Sequence, residues 1–314
     1  GKVTVSGEAY NTASAAASAI SGGGVAVNGA VAVVVNKSRT ETFIAQGANI
    51  DATGAVSVNA DVNTNADTYL LGAAIGGVAV GVCAAVSVLK PVVYTYIGST
   101  PKGTVSAASN GGSSVINASS VTVSNNVVSK TVSKVLSVAG GAVAVNGNVL
   151  LNFNYTDALA ETRGVSINAE NVTINADFDT SAKAELLAAT AGAVSIGATV
   201  TYVTLEAVNA AVLDTGGITI NAESVHVYAK DNKAKAEAYG VSGNIGAIAV
   251  NLNAAVADNH VTNMAVIMGN GIISNNSTVT VEASLDAVSV AEVLAAASGA
   301  ISVTGSVAAA LLRT

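Results

Sequence analysis

Tryptophan is absent, cysteine occurs once, proline occurs twice, and aromatic residues make up only 4% of 314 residues. Each shortage excludes something. A single cysteine, Cys83, permits no intrachain disulfide, and its setting in GVCAAV marks it as a small core residue rather than a reactive thiol. So little cysteine fits a bacterial surface protein that does not rely on disulfides, and fits a cytosolic protein equally well. With two prolines, nearly every residue keeps a backbone N–H for a ladder, and turns fall to the 31 Gly together with Asn, Asp and Ser. Charged residues total 11%, with a net charge of −7 and a sequence pI near 4.7. Nucleic acid is therefore not an expected partner, because phosphate binding needs clustered Lys and Arg. The one basic cluster, Lys230, Lys233 and Lys235, has acidic and amide neighbours and reads as a solvated face. Apolar stretches such as residues 74–89 are broken by Gly and Ser and fall short of the roughly 18 residues of a membrane helix. A membrane barrel would carry aromatic girdles, so the chain is not expected to span a membrane. No signal peptide is visible. The chain starts on a strand without Met and stops partway through another strand, which reads as a window cut from a longer array.

What is present is a degenerate repeat. Its marker is [VI]-x-[VI]-N-A, a kink, then V-x-[VI]-x-A. It reads SVINASSVTVSN at 114–125, GVSINAENVTINA at 164–176 and GITINAESVHVYA at 217–229, with looser copies at 48–60 and 271–283. The first valine after the kink falls at Val56, Val121, Val172, Val225 and Val279, with Val3 in the same role, so the steps are 53, 65, 51, 53 and 54 residues. A fixed period of this size is the signature of a repeat array, in which each unit buries its apolar face on its neighbours.

Within a repeat the period is two. From Val172 the even positions read Val, Ile, Ala, Phe, Thr, Ala, Ala, Leu, while the odd positions read Thr, Asn, Asp, Asp, Ser, Lys, Glu. That is a strand with one dry and one wet face. A small-residue break follows, then a more apolar strand such as VAVNGAVAVVVN at 25–36 or VAVGVCAAVSVL at 78–89. Near-continuous apolar runs of this kind suggest burial on both faces for part of their length. Alternation slips by one near Lys230–Lys233, where a β-bulge would absorb it. The long 65-residue step is expected to place its extra residues in a protruding Gly/Ser/Pro-rich loop at 98–114.

Stacking these units in register predicts an all-β fold, a parallel β-solenoid (β-helix) of repeats of about 53 residues. Residues 1–314 would form one elongated domain, with strands about 4.8 Å apart along the axis. Each repeat could be one wide, flattened rung or two ordinary rungs, and the sequence leaves both open.

Few constellations suggest chemistry. The marker asparagines Asn117, Asn168 and Asn221, with Asp51 in the looser copy, would stack as a hydrogen-bonded ladder or cap the corner backbone. Asp61, Asn63, Asn65 and Asp67 resemble the start of a calcium loop. The Gly at the sixth place and the Glu at the twelfth are missing, leaving a polar row and at most a weak surface Ca²⁺ site. His226 and His260 stand alone, without Cys or a second His at ligand spacing. No GxSxG, P-loop or GGxGxD run occurs. A solenoid enzyme acting on polysaccharide would need clustered acidic or basic groups, whereas the charges here are dispersed. The expectation is no enzyme, no catalytic residues and no cofactor.

The composition and the markers VINASSVTV, VSINAENVTINA and ITINAESVHV resemble the repetitive passengers of bacterial surface adhesins of the filamentous-haemagglutinin-like and autotransporter type. The resemblance covers the whole chain. It implies a right-handed parallel β-solenoid outside the cell, at the bacterial cell surface, serving as a non-catalytic stalk that displays binding surface to a host-cell, matrix or glycan surface. The alternative is a self-assembling extracellular fibre, joined end to end through open solenoid edges.

Overall fold

The computed structural model describes residues 1–101, 113–274 and 276–314. It is a parallel β-solenoid with six rungs. Rung 1 comprises β1 (Val3–Asn36), β2 (Arg39–Ala45) and β3 (Asn49–Asp51). Rung 2 comprises β4 (Val56–Leu89), β5 (Val92–Gly98) and β6 (Ser114–Asn117). Rung 3 holds β7 (Ser120–Gly140), β8 (Val143–Arg163) and β9 (Val165–Asn168). Rung 4 holds β10 (Asn171–Ala191), β11 (Val194–Asp214) and β12 (Thr219–Asn221). Rung 5 holds β13 (Ser224–Ile245), β14 (Ile248–Met268) and β15 (Ile272–Ile273), and rung 6 holds β16 (Thr278–Ser298) and β17 (Ile301–Arg313).

The register settles the rung question. Val3 pairs with Val56, Val56 with Val121, Val121 with Val172, Val172 with Val225 and Val225 with Val279. One repeat is therefore one wide rung. Rungs 1 to 5 each have two long limbs and a short third side, and rung 6 has the two limbs. Limb A follows the marker and comprises β7, β10, β13, β16 and the first part of β1 and β4. Limb B returns and comprises β8, β11, β14, β17, the last part of β1 and β4, and β2 and β5. The short strands β3, β6, β9, β12 and β15 form a second parallel sheet at the third side. A limb of 21 residues is about 70 Å long, while six rungs stack to only about 24 Å between the outermost strands. The described chain is thus broader than it is tall.

The core is graded across this width. Where three sides meet, Ile116, Ile167, Ile174, Ile220 and Leu213 fill the space. Further along, Phe178, Leu150, Leu186 and Leu205 share the interior with many alanines. At the far tip the buried apolar residues are alanines, among them Ala26, Ala74, Ala79, Ala139, Ala144 and Ala249. Side-chain volume tracks the gap between the limbs, as close packing requires. The tip itself is a glycine column. A Cβ on Gly76, Gly141, Gly192, Gly246 or Gly299 would collide with the carbonyl oxygen of the glycine one rung before it, namely Gly23, Gly76, Gly141, Gly192 and Gly246.

Two columns of inward side chains on limb B follow a two-rung rhythm. Asn36, Leu89, Asn154, Leu205, Asn259 and Leu312 form one limb B column, alternating strictly. The Asn154 amide donates to the carbonyls of Ser129 and Ser181, both at 3.1 Å, on two successive rungs of limb A. Asn259 does the same to Ala234 at 2.8 Å and Val288 at 2.9 Å. An amide has two donor hydrogens, so one Asn serves two rungs and an apolar side chain fills the next place. A second column reads Asn28, Gly81, Asn146, Gly197, Asn251 and Thr304.

The bulge expected near Lys230–Lys233 is present: the register steps from Phe178↔Asp231 to Asp179↔Lys233, leaving Asn232 without a partner position. The extra residues of the long step fall between Gly98 and Ser114, since Ala45 pairs with Gly98 and Asn49 with Val115. The protruding loop expected at 98–114 therefore lies largely outside the described residues. Burial on both faces of the apolar strands does not occur within the chain. Their inward residues are buried, but their outward ones, such as Val27 at 67% exposure and Leu252 at 53%, face solvent.

Candidate binding surfaces

Alternation gives each limb one outward face, and the two differ in chemistry. The limb A face carries the predicted polar row. Asp61, Asn63, Asn65 and Asp67 all point outward from β4. Asn65 donates to Asn63 at 3.2 Å and Asn126 to Asp61 at 3.3 Å. Burial raises the Asp67 carboxyl above its ordinary range, against a lowering contact from the Val132 backbone. Among the described residues no three of His, Cys, Asp and Glu gather as a metal site.

The marker asparagines stack at the third side. Asn168 donates to the side-chain oxygen of Asn117 at 2.8 Å, and Asn221 donates to that of Asn168 at 2.7 Å. Asp51 stands in the same column as the register partner of Asn117. The backbone is laced there too: the N–H groups of Ala52, Ala118 and Ala169 reach the carbonyls of Asn117, Asn168 and Asn221. His226 lies on the limb A face with its Nδ1 3.0 Å from the Tyr228 hydroxyl. His260 lies on limb B beside Glu206 in register. Cys83 is buried and free, and burial pushes its thiol pKa up.

A groove that alternation alone does not reveal runs along the limb A face. Its volume is 780 Å³. One wall is the column Tyr69, Lys134, Glu185, Tyr239, and the other is the column Leu71, Leu136, Leu187, Val241. Charge is fixed along the first wall. Lys134 meets Glu185 at 2.9 Å and Lys183 meets it at 2.6 Å. Hydrogen bonds from Lys183 and Lys134 hold the Glu185 carboxyl below its usual range. The Tyr239 hydroxyl donates to Glu237 at 2.7 Å, which with burial pushes its pKa up to about 12. Leu187 on the second wall is 50% exposed and Tyr69 on the first is 46% exposed. The signal was available: aliphatic residues at 71, 136, 187 and 241 sit on a strand's wet face at the repeat spacing.

The outward face of limb B is different again. From the glycine tip to a rim that includes Asp258 and Glu206 it carries no charged side chain. Phe153 lies at the rim, stacked with Tyr155 at 6.1 Å and tilted against Tyr202 at 5.9 Å. No protein-family model, no curated protein and no solved structure matches the chain.

Proposed function

We propose that this chain is a structural and adhesive segment of a bacterial extracellular surface protein, a non-catalytic support that displays binding surface to a host-cell, matrix or glycan surface. The observation that carries the reading is the limb A groove. It crosses five in-register rungs, from Ala16 and Ser18 to Tyr239 and Val241, so its walls are held by continuous backbone ladders. Its two walls suit an extended amphiphilic ligand. Aliphatic side chains take an apolar edge, while the tyrosines and the Lys134–Glu185 pair offer stacking and hydrogen bonds. A sugar chain or an extended peptide has both characters.

The test is retention of the purified chain on immobilised glycans and matrix proteins. Replacing both Tyr69 and Tyr239 by Ala is expected to weaken binding at least tenfold while leaving the outward-facing fold intact. Undiminished retention would move adhesion away from the groove. A deletion within 98–114 tests that loop in the same assay, and a loss confined to the deletion would make the loop the adhesive element.

A further inference from the structure

Five outward columns of limb B cross the six rungs between the glycine tip and the rim, beginning at Val25, Val27, Gly29, Val31 and Val33. All thirty positions are Gly, Ala, Val, Leu or Ile except Tyr202. We propose that this face is a homotypic interface, in which two copies of the chain pack limb B against limb B about a twofold axis.

Area is the first argument. Six rungs by ten residues measure about 900 Å². The largest apolar patch on a typical monomer is roughly 300–600 Å², while a stable interface takes about 800 Å² from each partner. Relief is the second. The central column reads Gly29, Val82, Gly147, Ala198, Leu252, Gly305. A Cβ added at Gly29 or Gly147 would meet nothing within 4 Å, so both are holes in the face. A twofold axis through Gly147 sets rung 1 opposite rung 5 and rung 2 opposite rung 4. Leu252 then drops over Gly29 and Val82 over Ala198, with five rungs overlapping over about 800 Å². Anatomy is the third. An apolar centre bounded by a charged and aromatic rim is the usual composition of an interface between proteins, and flat sheets pack face to face about 10 Å apart. A second copy supplies the burial on both faces that the sequence of these strands calls for. A lipid bilayer is the competing occupant, which the net charge of −7 disfavours at anionic surfaces. The pairing stands apart from the adhesive reading, because the groove is on the other limb.

Sedimentation velocity over a dilution series tests it. The unaltered chain, 30.5 kDa, is expected to sediment as a dimer of twice that mass and to dissociate on dilution. Val145→Asp combined with Val149→Asp puts charge on both sides of Gly147, on outward side chains only, and is expected to leave a folded monomer with unchanged strand circular dichroism. Gly29→Leu fills the hole beneath Leu252 and is expected to weaken association at least tenfold. The proposal is overturned by an unaltered chain that stays monomeric, whether or not it binds phosphatidylcholine vesicles. It is equally overturned if the double variant still associates, because the copies would then meet elsewhere. Unchanged association of Gly29→Leu overturns the packing described. The Tyr69→Ala/Tyr239→Ala variant is expected to sediment as the unaltered chain does.

Discussion

Asp231 sits where the bulge turns a carboxylate into the core. It is 2% exposed, and its register neighbours Phe178 and Leu285 are apolar. One carboxylate oxygen accepts the Lys233 N–H at 3.0 Å. Burial is the main cause that pushes its pKa up to about 7, and the carboxylates of Asp179, Asp286 and Asp177 add to it against the Lys233 contact. The folded state therefore keeps a proton that the unfolded chain releases near the ordinary value of 3.8. Stability contributed by this group is full below pH 4, falls as pH rises towards 7, and is lost above it. A shift of this size corresponds to an upper bound of about 4 kcal/mol. Asp231→Asn keeps the acceptor and removes the charge. It is expected to stabilise the fold in denaturant titrations at pH 8 and to change little at pH 4, and an equal effect at both would contradict the assignment. The second residue-scale prediction concerns Asn154. Asn154→Ala leaves the Ser129 and Ser181 carbonyls without their side-chain donor and opens a gap, at an expected cost of roughly 1–3 kcal/mol. The midpoint of chemical unfolding measures it. Asn154 was hard to read from the sequence, since an amide in LLNFNY gives no hint that it faces inward and spans two rungs. The rhythm becomes visible only when the columns are aligned by register.

Elements were more legible. Period-two alternation specified strands, since side chains of a strand alternate between faces, and the one-residue slip at Lys230–Lys233 located the bulge. The small-residue breaks marked the corner but did not reveal its geometry. The structure supplies the reason: each tip glycine lies against the carbonyl of the rung before it, so a methyl group has no room. The corner into the third side depends on backbone handedness instead, with Gly164 at φ 67° and Gly217 at φ 71°. Gly192→Ala is expected to destabilise by several kcal/mol through that collision. Gly147→Ala, on an open strand surface, is expected to be near neutral in the monomer. Thermal unfolding of the two variants side by side checks the contrast, and equal melting temperatures would count against the tip packing. The outward face of limb B is where pattern reading fell short. A continuous apolar run implied two buried faces, but one chain covers only one of them, and the second burial needs a partner outside the chain.

At the scale of the molecule, the repeat length admits two architectures. Valine spacing along the sequence cannot separate one wide rung from two narrow ones, because either recurs about every 53 residues. Direct pairing of successive marker valines belongs to the wide rung alone. What also separates them is how limb A and limb B relate. Here they face each other across the core, as Asn154 on β8 reaches Ser129 on β7 and Ser181 on β10, and do not follow one another along the axis. Thr4, Ser57, Thr122, Thr173, His226 and Thr280 form one outward column through all six rungs. The most direct test is a distance between spin labels on Thr4→Cys and Thr280→Cys in a Cys83→Ala background, diluted with unlabelled chain and read by pulsed electron resonance. One wide rung per repeat predicts a separation near 24 Å, while two narrow rungs per repeat would place the labels about 48 Å apart and contradict the architecture.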